Sequence, residues 1–230
     1  MPNTKTIRVP HLFGTDAAYQ MPRPYDASKP TCVLVNSFTM TSELYAAQYK
    51  NEKLLDAMNI IAIEPLGHGQ TRTSTDTFTY WDTAVMILQV LDALEIKGKV
   101  FALGTSQGGW IVVRLALLRP DRIAGILPLG TSMDFESERS RKFGNFDCLS
   151  TLAGPIKELE STTPTPDFVV SQEFRDFPIY VGFGKGDEIK MFVNSPDARL
   201  QVVEGGQHYL SASHPEVVDK ALMEFVAKYA

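Results

Sequence analysis

Gly104-Thr105-Ser106-Gln107-Gly108 sets a serine among small residues in the pattern G-x-S-x-G. An apolar run, Val100-Phe101-Ala102-Leu103, precedes it, and a helix-like stretch, Trp110 to Leu118, follows. At a strand-to-helix turn this pattern bends the chain so sharply that the Ser106 hydroxyl points outward in a strained conformation. The helix begins at once, so its unpaired N–H groups and positive dipole end face any oxyanion formed beside that hydroxyl. The chemistry implied is attack on a carbonyl carbon. The competing reading, a plain glycine turn, leaves the flanking strand and helix as coincidence.

A serine hydroxyl is a poor nucleophile until a base takes its proton, and the base needs an orienting acid. For this turn the chain order is serine, then Asp or Glu, then histidine. Of the four histidines, His11 precedes the first strong strand and reads as a surface residue. His68, in Pro65-Leu66-Gly67-His68-Gly69-Gln70, comes before the serine and reads as a loop-packing residue; His214, before Pro215, reads as a helix-start residue. His208 follows the last apolar run in Glu204-Gly205-Gly206-Gln207-His208 and alone fits the order as general base. The acid has two candidates. Asp187, in Gly184-Lys185-Gly186-Asp187 after the run Ile179 to Phe183, comes first, and Asp134, past Leu129, second. Either can also be read as an ordinary turn or loop aspartate. Two converging backbone donors must hold the oxyanion. The Gln107 N–H, next after the nucleophile, is one, and the Phe38 N–H, in Asn36-Ser37-Phe38-Thr39 after the run Cys32 to Val35, is the other. No Cys/His cluster has metal-ligand spacing and no glycine fingerprint for a dinucleotide or phosphate is present, so the expected chemistry uses no metal and no cofactor.

Short apolar runs that alternate with helix-period stretches must position these groups. The runs are Cys32 to Val35, Ile60 to Ile63, Val100 to Leu103, Ile123 to Leu129, Ile179 to Phe183 and Leu200 to Val203. Continuous apolar strands of this kind are buried on both faces, as in a parallel sheet. Helices are expected over 42–57, 80–95 and 215–229, the last with Ser213 and Glu216 as a capping box and Pro215 in its first turn. Strand–helix alternation implies a doubly wound, mostly parallel α/β sheet. Segments 5–9 and 17–21 are expected to add an antiparallel hairpin at one edge. Residues 132–176 are polar and weakly periodic and read as a lid insertion over the sheet's C-terminal edge. Its Phe143, Phe146 and Phe168 could line an acyl pocket or serve as ordinary packing.

The 230 residues suffice for one well-buried domain spanning the whole chain. Composition is that of a globular protein, with 44% hydrophobic and 21% charged residues. A net charge of −5 without a Lys/Arg cluster argues against nucleic acid or an anionic membrane as partner. Cys32 and Cys148 read as free thiols, and the first twenty residues lack an apolar signal core; both suggest the cytoplasm.

With these motifs in place the chain resembles the α/β-hydrolase superfamily over nearly its whole length. Val33-Leu34-Val35-Asn36-Ser37-Phe38 stands where the family has its His-Gly oxyanion segment, with Asn-Ser in place of His-Gly. Glu64-Pro65-Leu66-Gly67-His68-Gly69-Gln70-Thr71 resembles the family's Asp-x-x-Gly-His-Gly-x-Ser loop. Gly205-Gly206-Gln207-His208 with His214-Pro215-Glu216 resembles its histidine loop and last helix. The flavour is that of small fungal esterase- and lactonase-type hydrolases, some of which act in secondary metabolism. The resemblance implies hydrolysis of a small ester, lactone or thioester through Ser106, His208 and Asp187. Serine at the elbow disfavours epoxide hydrolases and haloalkane dehalogenases, which carry Asp there.

The interval of 102 residues between Ser106 and His208 is short for this flavour, which suggests a shortened member. Only residues 185–199 connect Gly184 to Leu200, close to the roughly ten to twelve that a parallel crossover needs. A second reading follows, in which residues 177–184 are the lid's tail and the acid-bearing strand is absent. The chain would then be an impaired hydrolase, or a small-molecule binding protein that keeps the pocket. A lyase or cofactor-free peroxidase on the same triad is the third option. Fold and triad are shared by many activities, so neither names the substrate.

Overall fold

A computed structural model describes residues 2–131, 178–182, 197–204 and 206–230. Strands β1 (Lys5–Val9), β2 (Thr15–Gln20), β3 (Thr31–Val35), β4 (Asn59–Ile63), β5 (Arg72–Thr73), β6 (Val100–Thr105), β7 (Ile123–Leu129), β8 (Pro178–Gly182) and β9 (Asp197–Gln201) form one sheet. Its order is β1-β2-β4-β3-β6-β7-β8-β9, with β5 paired to β2. The run from β4 to β9 is parallel, and β2 pairs antiparallel with β1, β4 and β5. The doubly wound, mostly parallel sheet and its edge hairpin are thus as expected.

Continuous apolar strands become central because both faces are covered. Val33 and Val35 of β3, Ile61 and Ile63 of β4, and Val100 and Ala102 of β6 face one core layer. That layer is closed by helices α2 (Tyr80–Ala93) and α3 (Gln107–Leu118). The alternate residues Cys32, Leu34, Ile60, Ala62, Phe101 and Leu103 face the other, closed by α1 (Glu52–Ala57), α4 (Leu210–Ser213) and α5 (Pro215–Tyr229). Burying each large side chain contributes about 1.5–3 kcal/mol. Burial also removes Cys32 from solvent, which pushes its thiol up to about 12. Among the described residues no helix is long and apolar enough to cross a membrane.

Several expectations are corrected. The helix over 42–57 is instead a 3-10 turn at Ser42–Tyr45, another at Gln48–Lys50, and the short α1. Its polar side chains are committed elsewhere: Ser42 bonds Glu64, Tyr45 bonds the Val35 carbonyl, and Gln48 bonds Asp219. Asn51 then starts α1 afresh, accepting from Leu54 N–H at 3.2 Å. The Ser213/Glu216 capping box does not form, because Ser213 closes α4 and His214 occupies the α5 N-cap without a side-chain bond. A capping box does form at α2, where the Thr79 and Asp82 side chains satisfy each other's backbone N–H. The last strand is Asp197–Gln201, ahead of the expected Leu200–Val203. β8 is hydrogen-bonded between β7 and β9, so the reading that removes a strand there is corrected. The lid segment 132–176, Cys148, Asp134 and Asp187 lie outside the described residues.

Candidate active site

From β3 the chain runs to β4 on one side, then crosses to β6 on the other side of β3. The crevice beyond the C-terminal ends of β3 and β6 is therefore the topological switch point, where open α/β sheets bind ligands. Two segments meet there: the loop leaving β3 at Val35 and the turn joining β6 to α3.

Ser106 occupies that turn at φ 54° and ψ −116°, outside the conformations an L residue ordinarily adopts. Neighbouring contacts hold it there. Its N–H donates to the Leu129 carbonyl at 2.8 Å, and its carbonyl accepts from Gly109 N–H at 2.8 Å. Glycine is required on both sides. A Cβ at Gly104 would lie 2.1 Å from the Gly108 carbonyl oxygen, and one at Gly108 would lie 1.9 Å from that of Val35. Below the turn, buried Tyr45 donates its hydroxyl to the Val35 carbonyl at 2.7 Å and lies 3.3 Å from Thr105 Oγ1. Desolvation pushes the ionisation of that phenol well up, so it stays a donor. Serine at a helix N-cap ordinarily accepts a bond from the first turn; Ser106 makes no such bond.

Its hydroxyl instead meets histidine. His208 Nε2 lies 2.9 Å from Ser106 Oγ. The ring is solvent-exposed and packs on Tyr209, with centroids 5.2 Å apart. The chain then enters α4, whose Ser211 carbonyl accepts from buried Gln48 Nε2 at 3.1 Å. The other ring nitrogen faces the end of β7: a Cβ at Gly130, a residue at φ +58°, would sit 3.0 Å from the His208 carbonyl oxygen and 3.8 Å from Nδ1.

Gln107 opens α3, so its N–H has no intrahelical acceptor. Phe38 lies in a turn closed by Met40 N–H donating to the Ser37 carbonyl at 3.2 Å, and among the described residues the Phe38 amide has no acceptor. Buried Asn36 braces the turn, its Nδ2 donating to the Met40 carbonyl at 2.7 Å. Thr39, at φ 61°, holds a conformation costly for a β-branched residue, another local strain beside the switch point. The Phe38 ring is 48% exposed and meets the His68 ring edge-on, centroids 6.0 Å apart.

The remaining histidines have structural partners. His68 Nδ1 lies 3.0 Å from the Leu66 carbonyl. An oxygen there can only accept, so Nδ1 carries the proton. His214 Nδ1 lies 3.0 Å from Ser213 Oγ. His11 is tied in more than expected of a surface residue, with Nε2 3.1 Å from Asp82 Oδ1 and its N–H donating to Gln89 Oε1 at 2.9 Å. Among the described residues no group of three or more His, Cys, Asp or Glu side chains could hold a metal. Sequence reasoning passed over Glu64, Tyr45 and Asn36, which support the site from beneath. Glu64 carried a signal as the acidic residue that opens the Gly-His-Gly loop, and Asn36 as the residue in place of the family's His; Tyr45 carried none.

Comparison with known proteins decides the family. Residues 30–151 match the model of the alpha/beta hydrolase fold family. The chain belongs to this family. A hydrolase from Pseudomonas aeruginosa PA01 is 20% identical over 97% of this chain and 98% of its own, with a TM-score of 0.72. A thermophilic esterase from Thermogutta terrifontis is 18% identical over 98% of this chain and 99% of its own, TM-score 0.71. A naproxen esterase from Bacillus subtilis is 19% identical over 97% and 92%, TM-score 0.69. At such identities these likenesses establish the alpha/beta hydrolase fold and nothing narrower. A protein of Mycobacterium phage D29 named "Putative non-heme haloperoxidase" is 31% identical over 91 residues, 40% of this chain and 32% of its own. The match thus spans about a third of that relative's length.

Proposed function

We propose that this alpha/beta hydrolase-fold chain is a cofactor-free serine hydrolase that cleaves an ester, lactone or thioester of a small organic molecule. The observation that carries the reading is the 2.9 Å approach of His208 Nε2 to Ser106 Oγ on a strained turn at the sheet's switch point. Nε2 takes the hydroxyl proton as Oγ bonds to the carbonyl carbon. The Gln107 and Phe38 amides hold the resulting oxyanion, as backbone donors stabilise such charge best when fixed before it develops. The imidazolium then returns its proton to the leaving alcohol or thiol as that bond breaks. Water, deprotonated by the same ring, releases the acid and restores Ser106. Asp187, five residues beyond the end of β8, is the acid that holds the ring through Nδ1.

The haloperoxidase name of the phage relative favours a second reading on the same residues. Hydrogen peroxide in place of water would release a peracid from the acyl-enzyme. A third reading is the impaired, ligand-binding protein. A fluorophosphonate probe with p-nitrophenyl acetate turnover separates them. Rapid labelling and turnover, both lost in Ser106→Ala, support the hydrolase. Turnover that appears only with added peroxide supports the second reading. A folded protein that neither labels nor turns over overturns the hydrolase reading in favour of the third.

A further inference from the structure

Glu64 is a carboxylate buried to 3% exposure at the end of β4, with no cation paired to it among the described residues. Burying a charge is costly unless fixed donors replace water. Here three do. Oε1 accepts from Ser42 N–H at 3.2 Å and from Ser42 Oγ at 2.9 Å, and Oε2 accepts from Gln70 N–H at 2.6 Å. Glycine at 69 makes room, since a Cβ there would lie 1.8 Å from Oε2. Ser42 is held on its other side as well, its carbonyl accepting from the Tyr49 hydroxyl at 2.8 Å.

The two loops so joined are those whose rings meet at the site: Ser42 ends the loop that carries Phe38, and Gln70 follows His68 in its own. At its start the first loop is fixed by the β3–β6 pairing, in which Val35 lies opposite Gly104. In its middle Asn36 braces it. Glu64 fixes its end. We propose that Glu64 is a positioning residue for the reaction: its carboxyl group clasps the 36–42 loop to the 64–71 loop and so holds the Phe38 amide on the oxyanion. This rests on the hydrolase reading above. Thr39 is strained in the observed position, so the loop needs restraint from outside itself to stay there. Misplacing an oxyanion donor weakens the transition state and leaves ground-state binding largely intact.

Glu64→Gln tests the clasp with no change in volume. The new amide must turn its N–H groups toward the donors of Ser42 or of Gln70, and one side of the clasp opens. With p-nitrophenyl acetate, kcat is expected to fall about tenfold or more while KM stays within about threefold. Affinity for an aryl trifluoromethyl ketone, which forms a tetrahedral adduct with Ser106, should fall in parallel with kcat/KM. Ser42→Ala, which removes the hydroxyl bond alone, should show the same split at smaller size and serves if Glu64→Gln does not fold. Leu222→Ala, on the buried face of α5, should lower Tm but keep kcat unchanged at temperatures well below Tm. Wild-type kcat and ketone affinity in Glu64→Gln, or in Ser42→Ala where only that variant folds, overturn the proposal. Activity retained by Ser106→Ala overturns the hydrolase reading instead.

Discussion

Gly108 packs its Cα against the Val35 carbonyl so closely that a methyl group there would stand 1.9 Å from that oxygen and 3.0 Å from the Asn36 carbonyl oxygen. This contact brings the start of α3 onto the end of β3. It therefore sets how near the Gln107 amide lies to the loop bearing Phe38. The atom in the way is backbone, so no side-chain rotation can relieve a substitution.

Gly108→Ala should cost about 3 kcal/mol or more, or yield insoluble protein, because overpacking against backbone forces the elbow itself to move. Gly98 is the control: a Cβ there meets nothing within 4 Å. Gly98→Ala should stabilise by about 0.4–1 kcal/mol through the unfolded chain. Urea unfolding midpoints of the two variants against wild type check both signs.

The triad acid is decided by paired substitutions. Asp187→Asn should lower kcat by about 10⁴ with modest change in KM, since the imidazole loses its orienting charge. Asp134→Asn should stay within about threefold of wild type by the same reasoning. The reverse outcome moves the acid to Asp134. Two near-normal variants would leave His208 without either acid and sink the triad as assigned.

Buried Asp219 joins α5 to the segment before α1. It accepts from Gln48 Nε2 at 2.8 Å and from Asn51 Nδ2 at 2.7 Å. Asp219→Ala leaves one N–H of Gln48, whose Nε2 still donates to the Ser211 carbonyl, and one N–H of Asn51 without an acceptor, at about 1–3 kcal/mol each. A loss of about 2–5 kcal/mol is expected in chemical denaturation, and a change below 1 kcal/mol would refute the accounting.

Cys32 gives the pH prediction. Burial raises its thiol to about 12, above its ordinary value of 9.0 in the unfolded chain. A raised folded value means the stability is whole below the unfolded value and is lost as pH climbs toward the folded one. At pH 9.5 the loss should be about 0.8 kcal/mol relative to pH 7. Unfolding midpoints across that range should decline less in Cys32→Ala. In a Cys148→Ser background, a disulfide reagent at pH 8 should label Cys32 only as the protein unfolds.

Much of this molecule was readable from its residues in order, because local rules and burial agree there. β7 falls on Ile123–Leu129 and α5 on Pro215–Tyr229 as periodicity indicates, since their apolar patterns match the cores they face. The expected helix over 42–57 failed for the opposite reason. Its propensity is real, but Ser42, Tyr45 and Gln48 make bonds to partners distant in the chain, and those outweigh helical continuity. The capping box before α5 failed because Ser213 had already been used to end α4.

By itself the sequence determined a turn that only small residues permit, the apolar strands on either side of it, and a histidine in the right order. These follow from sterics and from the two-residue and 3.6-residue periods, which are local. Tertiary structure alone decided that His208 Nε2 stands 2.9 Å from Ser106 Oγ, and that Glu64, Tyr45 and Asn36 support the turns beneath. Those relations depend on which strands become neighbours. Strand order is set by the packing of the whole chain, and no local stretch of residues encodes it.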